Sequence, residues 1–146
     1  MNKRNSIYTE LKEGFDREIK CFSLWKVLPS AEPNPWFCFI RVDMKRLKVD
    51  KQTLSRALQA EGIPVGAHYV IPMYQQKWIA ERNTFGSSHL PWSLPETRKI
   101  NYKNCCPSAE KALDDHMTMH IHECWGKKEV NDTIKAFRKI EQHYGR

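Results

Sequence analysis

Residues Trp36 to Val42 read Trp-Phe-Cys-Phe-Ile-Arg-Val, and this heptapeptide constrains the fold more than any other stretch. Aromatic and β-branched side chains dominate it, which suits a pleated strand. It is apolar on both faces, so the strand it predicts needs packing on each side. Shortly after it, Asp50 offers an N-cap for a helix over Lys51 to Ala60, with Leu54, Ala57 and Leu58 facing inward. Gly62 supplies a left-handed stop. Ile63 to Ala67 predict a second, shorter strand, and His68-Tyr69 follow at its end. A strand, a capped helix and a strand in such close succession point to a layered α/β arrangement.

The flanking segments extend that pattern. Ile7, Leu11, Phe15, Ile19 and Phe22 recur at helical spacing with charged residues between them, predicting an amphipathic helix over residues 1–23. Gly14 inside it costs about 1 kcal/mol relative to Ala. Pro29 to Pro35 form a break, and Tyr74 to Arg82 suit a short helix. Asn83 to Asn104 is rich in turn residues (Gly86, Ser87, Ser88, Pro91, Pro95). It is longer than an ordinary connection, and such loops tend to be functional or to lie against a neighbour. Pro107 opens a helix running to Asp115. Met117 to His122 alternates as a strand does, and Val130, Ile134, Phe137, Ile140 and Tyr144 mark a final amphipathic helix. The expected fold is α/β, an α+β sandwich in which helices cover a small sheet, antiparallel or mixed. One domain over residues 1–146 accommodates it.

Composition narrows the function classes. The formal net charge is +7, but Lys and Arg occur in short scattered groups mixed with acids. That pattern reads as a solvated surface rather than a nucleic-acid footprint. No apolar run approaches the roughly 18–20 residues of a membrane span. The first residues, MNKRNSIYTELKEGFDREI, carry charge throughout and lack the apolar core of a secretory leader. A cytoplasmic protein with neither nucleic acid nor membrane as partner is expected. The five cysteines are irregularly spaced, so reduced thiols are expected. Cys38 sits in an apolar run as a small hydrophobe, and the adjacent Cys105-Cys106 rarely pair with each other.

Candidate chemistry is sparse. His116, His120, His122 and Cys124 suggest a metal cluster, since His120, His122 and Cys124 would share a face of an extended strand. Neighbouring same-face residues seldom complete a ligand set, and no C-x-x-C partner exists, so residues flanking a strand end are preferred and no metal is expected. Cys and His are numerous enough to pair by chance, and nothing marks one thiol as activated. Neither G-x-G-x-x-G nor a P-loop is present. His68-Tyr69 stand just past a strand, where a side chain can leave the core and reach a cleft. Taken alone, such a His is more often structural. Arg82 offers a bidentate fork to phosphate or carboxylate, or simply a surface charge.

Several segments resemble, in order, one known domain. These are Lys3-Arg4 with Tyr8-x-x-Leu11, PWFCFIRVD, DKQTLSRALQAEGIPVGA, HYVIPMY with its His-Tyr-x-x-Pro, Pro107-Ser108-Ala109-Glu110, and HIHECWGKKEVNDTIKAFRKI. Together they look like the C-terminal small domain of the DegT/StrS-type sugar aminotransferases, of the aspartate-aminotransferase fold type. The resemblance implies a pyridoxal-phosphate enzyme moving an amino group from glutamate or glutamine to a keto sugar, often nucleotide-linked, or to a keto cyclitol. It implies that the cofactor lysine, its acid and the phosphate cup belong to a large N-terminal domain. That domain is expected to be absent here, with residues 1–23 as the linking helix. The isolated chain is then catalytically silent, with no catalytic or cofactor-binding residue of its own. The large domain is its partner, with the exposed apolar face of the first helix as the docking surface, and the complete enzyme is a homodimer. The resemblance also implies that His68 and Tyr69 bind substrate, through the donor carboxylate or sugar hydroxyls, with Arg82 and the Asn83–Asn104 loop as further candidates. One departure is the MHIHE segment, with His120 and His122 where members commonly carry Leu-Pro. Two other readings stay open: a non-catalytic sugar-nucleotide-binding or regulatory module, and a zinc-binding domain built on His116–Cys124.

Overall fold

Four antiparallel strands in the order β1-β2-β4-β3 form the sheet of the computed structural model, which describes residues 2–98, 100–102 and 105–146. The strands are β1 (Phe22–Leu24), β2 (Phe37–Val42), β3 (Val65–Gly66) and β4 (His116–His120). The helices are α1 (Asn2–Glu18), α2 (Lys51–Ala60), α3 (Lys77–Ala80), α4 (Pro107–Asp115) and α5 (Lys127–Tyr144). The chain forms two compact units: the residues up to Tyr69 with Asp115–Arg146, and Val70–Asp114.

In the first unit, alternation along β2 divides the sheet into two faces. Cys38, Ile40 and Val42 are buried with Met117 and Met119 of β4, Val65 of β3, and Phe22 and Leu24 of β1. This face meets Ile7, Leu11 and Phe15 of α1, Leu54 and Leu58 of α2, and Val130, Ile134, Phe137 and Ile140 of α5 in one core. Phe37 and Phe39 point to the opposite face and are only half-buried. The core thus lies between one face of the sheet and a layer of helices. The predicted sandwich is observed, with the sheet antiparallel.

Local chemistry explains the helix ends. The Asp50 carboxylate accepts from the Thr53 N–H at 2.7 Å and caps α2, as its sequence predicts. That bond, first among several causes, holds the Asp50 carboxyl below its ordinary range. Gly62 follows α2 with φ 83°. At the start of α5 the Glu129 carboxylate turns back to accept from the Gly126 N–H at 2.7 Å.

Two expectations need correcting. The helix predicted over residues 1–23 ends at Glu18, and Phe22 lies on a strand. The Glu141 carboxylate of α5 accepts from Lys20 N at 2.9 Å and from Cys21 N at 2.7 Å, so these amides leave the helical ladder. Phe22 still reaches the core because β1 pairs with β2, placing Phe22 opposite Val42. The apolar face of α1 is not a docking surface either. Ile7, Tyr8, Leu11 and Phe15 are all buried in this unit's own core.

Gly14 has a packing role that its poor helix propensity hides. A Cβ there would stand 2.1 Å from Ile134 Cδ1 and 2.9 Å from Cγ1. Ile134 is buried and β-branched, with few rotamers to retreat into. Gly14→Ala should therefore lose up to about 2 kcal/mol net, because overpacking of roughly 1–3 kcal/mol is set against a propensity gain of about 1 kcal/mol. Adding Ile134→Val removes the nearest atom. The urea midpoint of the double variant should then lie above the sum of the single effects; simple additivity would show that the two residues do not collide.

In the second unit a turn of 3-10 helix (Met73–Gln75) precedes α3. The Tyr74 hydroxyl donates to Glu110 of α4 at 2.5 Å, and Gln75 Nε2 donates to the same carboxylate oxygen at 3.3 Å. The predicted long loop holds itself together with its own polar groups. Ser88 Oγ donates to Phe85 O at 2.6 Å, Thr97 Oγ1 to Pro91 O at 2.5 Å, and Thr84 Oγ1 to Leu90 O. Asn104, the last residue of that loop, lies outside the described residues, as do Lys99 and Lys103.

Candidate functional site

The chain leaves β3 at Gly66, and His68 and Tyr69 emerge beside Phe37 on the face of the sheet opposite the helix-packed core. This path depends on the missing side chain of Gly66. A Cβ there would meet Thr118 Oγ1 at 3.0 Å and the His68 carbonyl oxygen at 3.3 Å. Both His68 and Tyr69 are exposed. The Tyr69 ring rests on Phe37 at a centroid distance of 4.9 Å and stands edge-on to Phe39 at 5.5 Å. These two Phe side chains fix the tyrosine from below while half its surface stays open to ligand.

A groove of about 600 Å³ runs along this face, lined by Trp36, Phe37, Gly66, His68, Thr118 and His120 among others. Its lining is mostly apolar, with the exposed imidazoles of His68 and His120, the exposed phenol of Tyr69 and the buried hydroxyl of Thr118. Such a surface can hold a polyhydroxylated ring, with ring faces on the aromatics and hydroxyl groups on the polar groups. Trp36 is 74% exposed and lies within 6.0 Å of the Arg4 guanidinium. Arg4 is anchored in turn by Glu123 at 2.7 Å, and this pair holds the Glu123 carboxyl below its ordinary range.

The sequence candidates fall in different places. His68 and Tyr69 come together at the groove. Arg82 belongs to the other unit, with a backbone φ of 53°. It lines a pocket of about 670 Å³ with Tyr74, Ile100, Tyr102 and Glu110. The Glu110 hydrogen bond, then loss of surrounding water, pushes the Tyr74 phenol above its ordinary range. That pocket was not anticipated, because Tyr74 and Glu110 are far apart in the chain, and the segments that hold them, HYVIPMY and Pro107-Ser108-Ala109-Glu110, do not announce that they meet.

The histidine cluster does not extend along one strand. His116 and His120 lie on β4, which ends there, while His122 and Cys124 follow in a turn. The Cys124 N–H donates to His122 Nδ1 at 3.2 Å. Among the described residues no three His, Cys, Asp or Glu side chains converge as a metal centre would require. His120 instead contributes to the groove, with its ring 6.2 Å from Phe37.

The model of the DegT/DnrJ/EryC1/StrS aminotransferase family matches residues 1–138. The chain belongs to this family. Among solved structures, the crystal structure of an aminotransferase, TlmJ, from Streptoalloteichus hindustanus is similar, with a TM-score of 0.66 and 15% identity. The match covers 97% of this chain and 32% of that one, so this family member spans about a third of that relative's length. At such identity the likeness concerns the fold. No curated protein matches the chain.

Proposed function

We propose that this chain is the C-terminal small-domain part of a pyridoxal-phosphate-dependent aminotransferase. The reaction transfers an amino group from glutamate or glutamine to a keto sugar, often nucleotide-linked, or to a keto cyclitol. The observation that carries the reading is that, in a chain of this family, His68 and Tyr69 stand exposed at an open groove instead of packing in the core. In this reading His68 donates a hydrogen bond to the donor carboxylate or a sugar hydroxyl. Tyr69 adds a second donor beside the apolar faces of Phe37 and Phe39. Arg82 is a further anion-binding candidate within its own unit.

The cofactor supplies the electron sink for amino transfer, and holding it requires a lysine aligned with an acid and a phosphate cradle. No residue lining the groove is a lysine or a carboxylate. Lys51, the buried lysine among the described residues, donates from Nζ to the His116 carbonyl at 3.0 Å. The described residues of the groove do not fit the group, so the reading gives it to another polypeptide and makes that polypeptide the partner.

Co-expression with a large domain of the same family tests this. Amino transfer from glutamate or glutamine to a nucleotide-linked keto sugar should appear only in the combination. In that complex His68→Ala should lower kcat/KM roughly tenfold to a hundredfold, the loss of one hydrogen bond to a charged group. The isolated chain mixed with pyridoxal phosphate should give no lysine-dependent absorbance change that glutamate reverses, and its appearance would refute the assignment. Tight binding of sugar nucleotides by the isolated chain would instead favour a non-catalytic module.

A further inference from the structure

Outside the groove, one side-chain pair is placed for chemistry that the proposed reaction does not use. Cys105 and Cys106 are adjacent, both exposed, and their Sγ atoms lie 3.9 Å apart. Adjacent cysteines usually diverge. Here hydrogen bonds on each side hold the backbone: Cys105 N donates to Tyr102 O at 3.4 Å, and Glu110 N in the first turn of α4 donates to Cys106 O at 3.0 Å. The two sulfurs therefore sit side by side at the entrance to α4.

Their separation suits one kind of occupant. A disulfide usually wants its Cα atoms about 4.4–6.8 Å apart, whereas adjacent residues hold theirs about 3.8 Å apart across a trans peptide, so closing one here strains the backbone. A single trivalent arsenic bonded to both thiolates is pyramidal and holds its two sulfurs somewhat closer than the 3.9 Å found here, a gap that two exposed side chains close by small rotations about χ1. Loss of water around Cys105, then the neighbouring Cys106 thiol, holds the Cys105 thiol above its ordinary range. Simple alkylating agents, which need a free thiolate, therefore find a poor nucleophile. A reagent able to bond both sulfurs gains from the high effective concentration of the second thiol.

We propose that Cys105 and Cys106 form a dithiol site that captures one trivalent arsenical, with each sulfur bonded to the same atom. With an arsenoxide, two As–S bonds form while the two S–H bonds and the arsenic–oxygen bonding are lost. The oxygen leaves with both protons as water, and no atom changes oxidation state. Cys21 and Cys38 are buried, and Cys124, in the turn before α5 of the other unit, has no cysteine beside it in the chain, so the adjacent pair accounts for the capture.

Phenylarsine oxide is the probe. One equivalent should give one adduct per chain in the intact mass. The adduct should resist excess monothiol and be released by a dithiol. Cys105→Ser and Cys106→Ser should each weaken retention by roughly a hundredfold or more, while Cys124→Ser keeps it. Both sites are exposed, and circular dichroism reports whether the Ser variants fold. Should either fail, mapping the adduct on the wild-type chain decides: a peptide holding Cys105-Cys106 supports the site, and any other location overturns it. Absence of an adduct, its survival in Cys105→Ser, or a pair already joined as a disulfide would each overturn it too.

Discussion

Replacing Phe137 by Ala is expected to cost about 3–5 kcal/mol of unfolding free energy. The ring is fully buried at the meeting point of three elements. It packs against Phe15 of α1 at a centroid distance of 4.9 Å and edge-on to Phe22 of β1 at 5.1 Å. Truncation removes the aromatic pair on each side and leaves a cavity bounded by two helices and a strand. Those elements cannot close in without breaking the pairing of β1 with β2. Against a typical total of about 5–15 kcal/mol, such a loss removes much of the margin. The melting temperature should fall by roughly 10–20 °C. Urea unfolding followed by far-UV circular dichroism measures it, and a loss under about 1 kcal/mol would show that this ring does not join the helices to the sheet.

Phe137 was legible from the sequence because it lies on a strongly periodic helix of 18 residues. Long elements with local end signals were generally readable. The Asp50 cap and the Gly62 stop fixed α2, and Pro107 fixed the start of α4. Strand β1 was not legible. It has three residues, and Phe22 falls at a spacing from Ile19 that a helix would also produce. What ends α1 is a carboxylate more than a hundred residues away, and no local pattern announces that. The same limit explains α1's apolar stripe. Periodicity showed that the stripe must be covered, and only the tertiary structure shows that α5 and the sheet cover it.

The candidate site was half legible. His68-Tyr69 stood out by position at a strand end and by the resemblance of the segment around them. The rest of the groove did not. Phe37 and Phe39 were recognised as strand residues with a second face to pack. The alternation that separates them from Cys38 and Ile40 marks that second face, and Tyr69 turns out to cover part of it. His120 drew attention as a metal ligand and as part of the MHIHE departure, not as a groove residue. Its place opposite Phe37 depends on the register of β2 with β4, which a sequence does not display. The Tyr74–Glu110 contact was hidden for the same reason.

That distant carboxylate carries the second large expectation. Glu141→Ala should cost about 2–3 kcal/mol, because a charge-assisted bond to a buried amide disappears and the Cys21 N–H is left without its acceptor. Glu141→Gln keeps one acceptor oxygen and should lose about half as much. The Cys21 thiol gives an independent readout. It is pushed up from 9.0 to about 11, by burial first and then by the charge and hydrogen bond of Glu141. A thiol whose folded-state pKa is raised contributes stability that is complete below pH 9 and is lost as pH rises toward 11. Removing the carboxylate lowers the folded-state value, so alkylation of Cys21 should begin at lower pH and the alkaline loss of stability should shrink. An Ala variant with an unchanged urea midpoint would mean that the α1–β1 corner is held by packing alone. A lower midpoint with an unshifted alkylation profile would mean that burial, not the Glu141 charge, controls the thiol. Both changes together would establish that one side chain on α5 stops α1 and sets the state of the cysteine beside it.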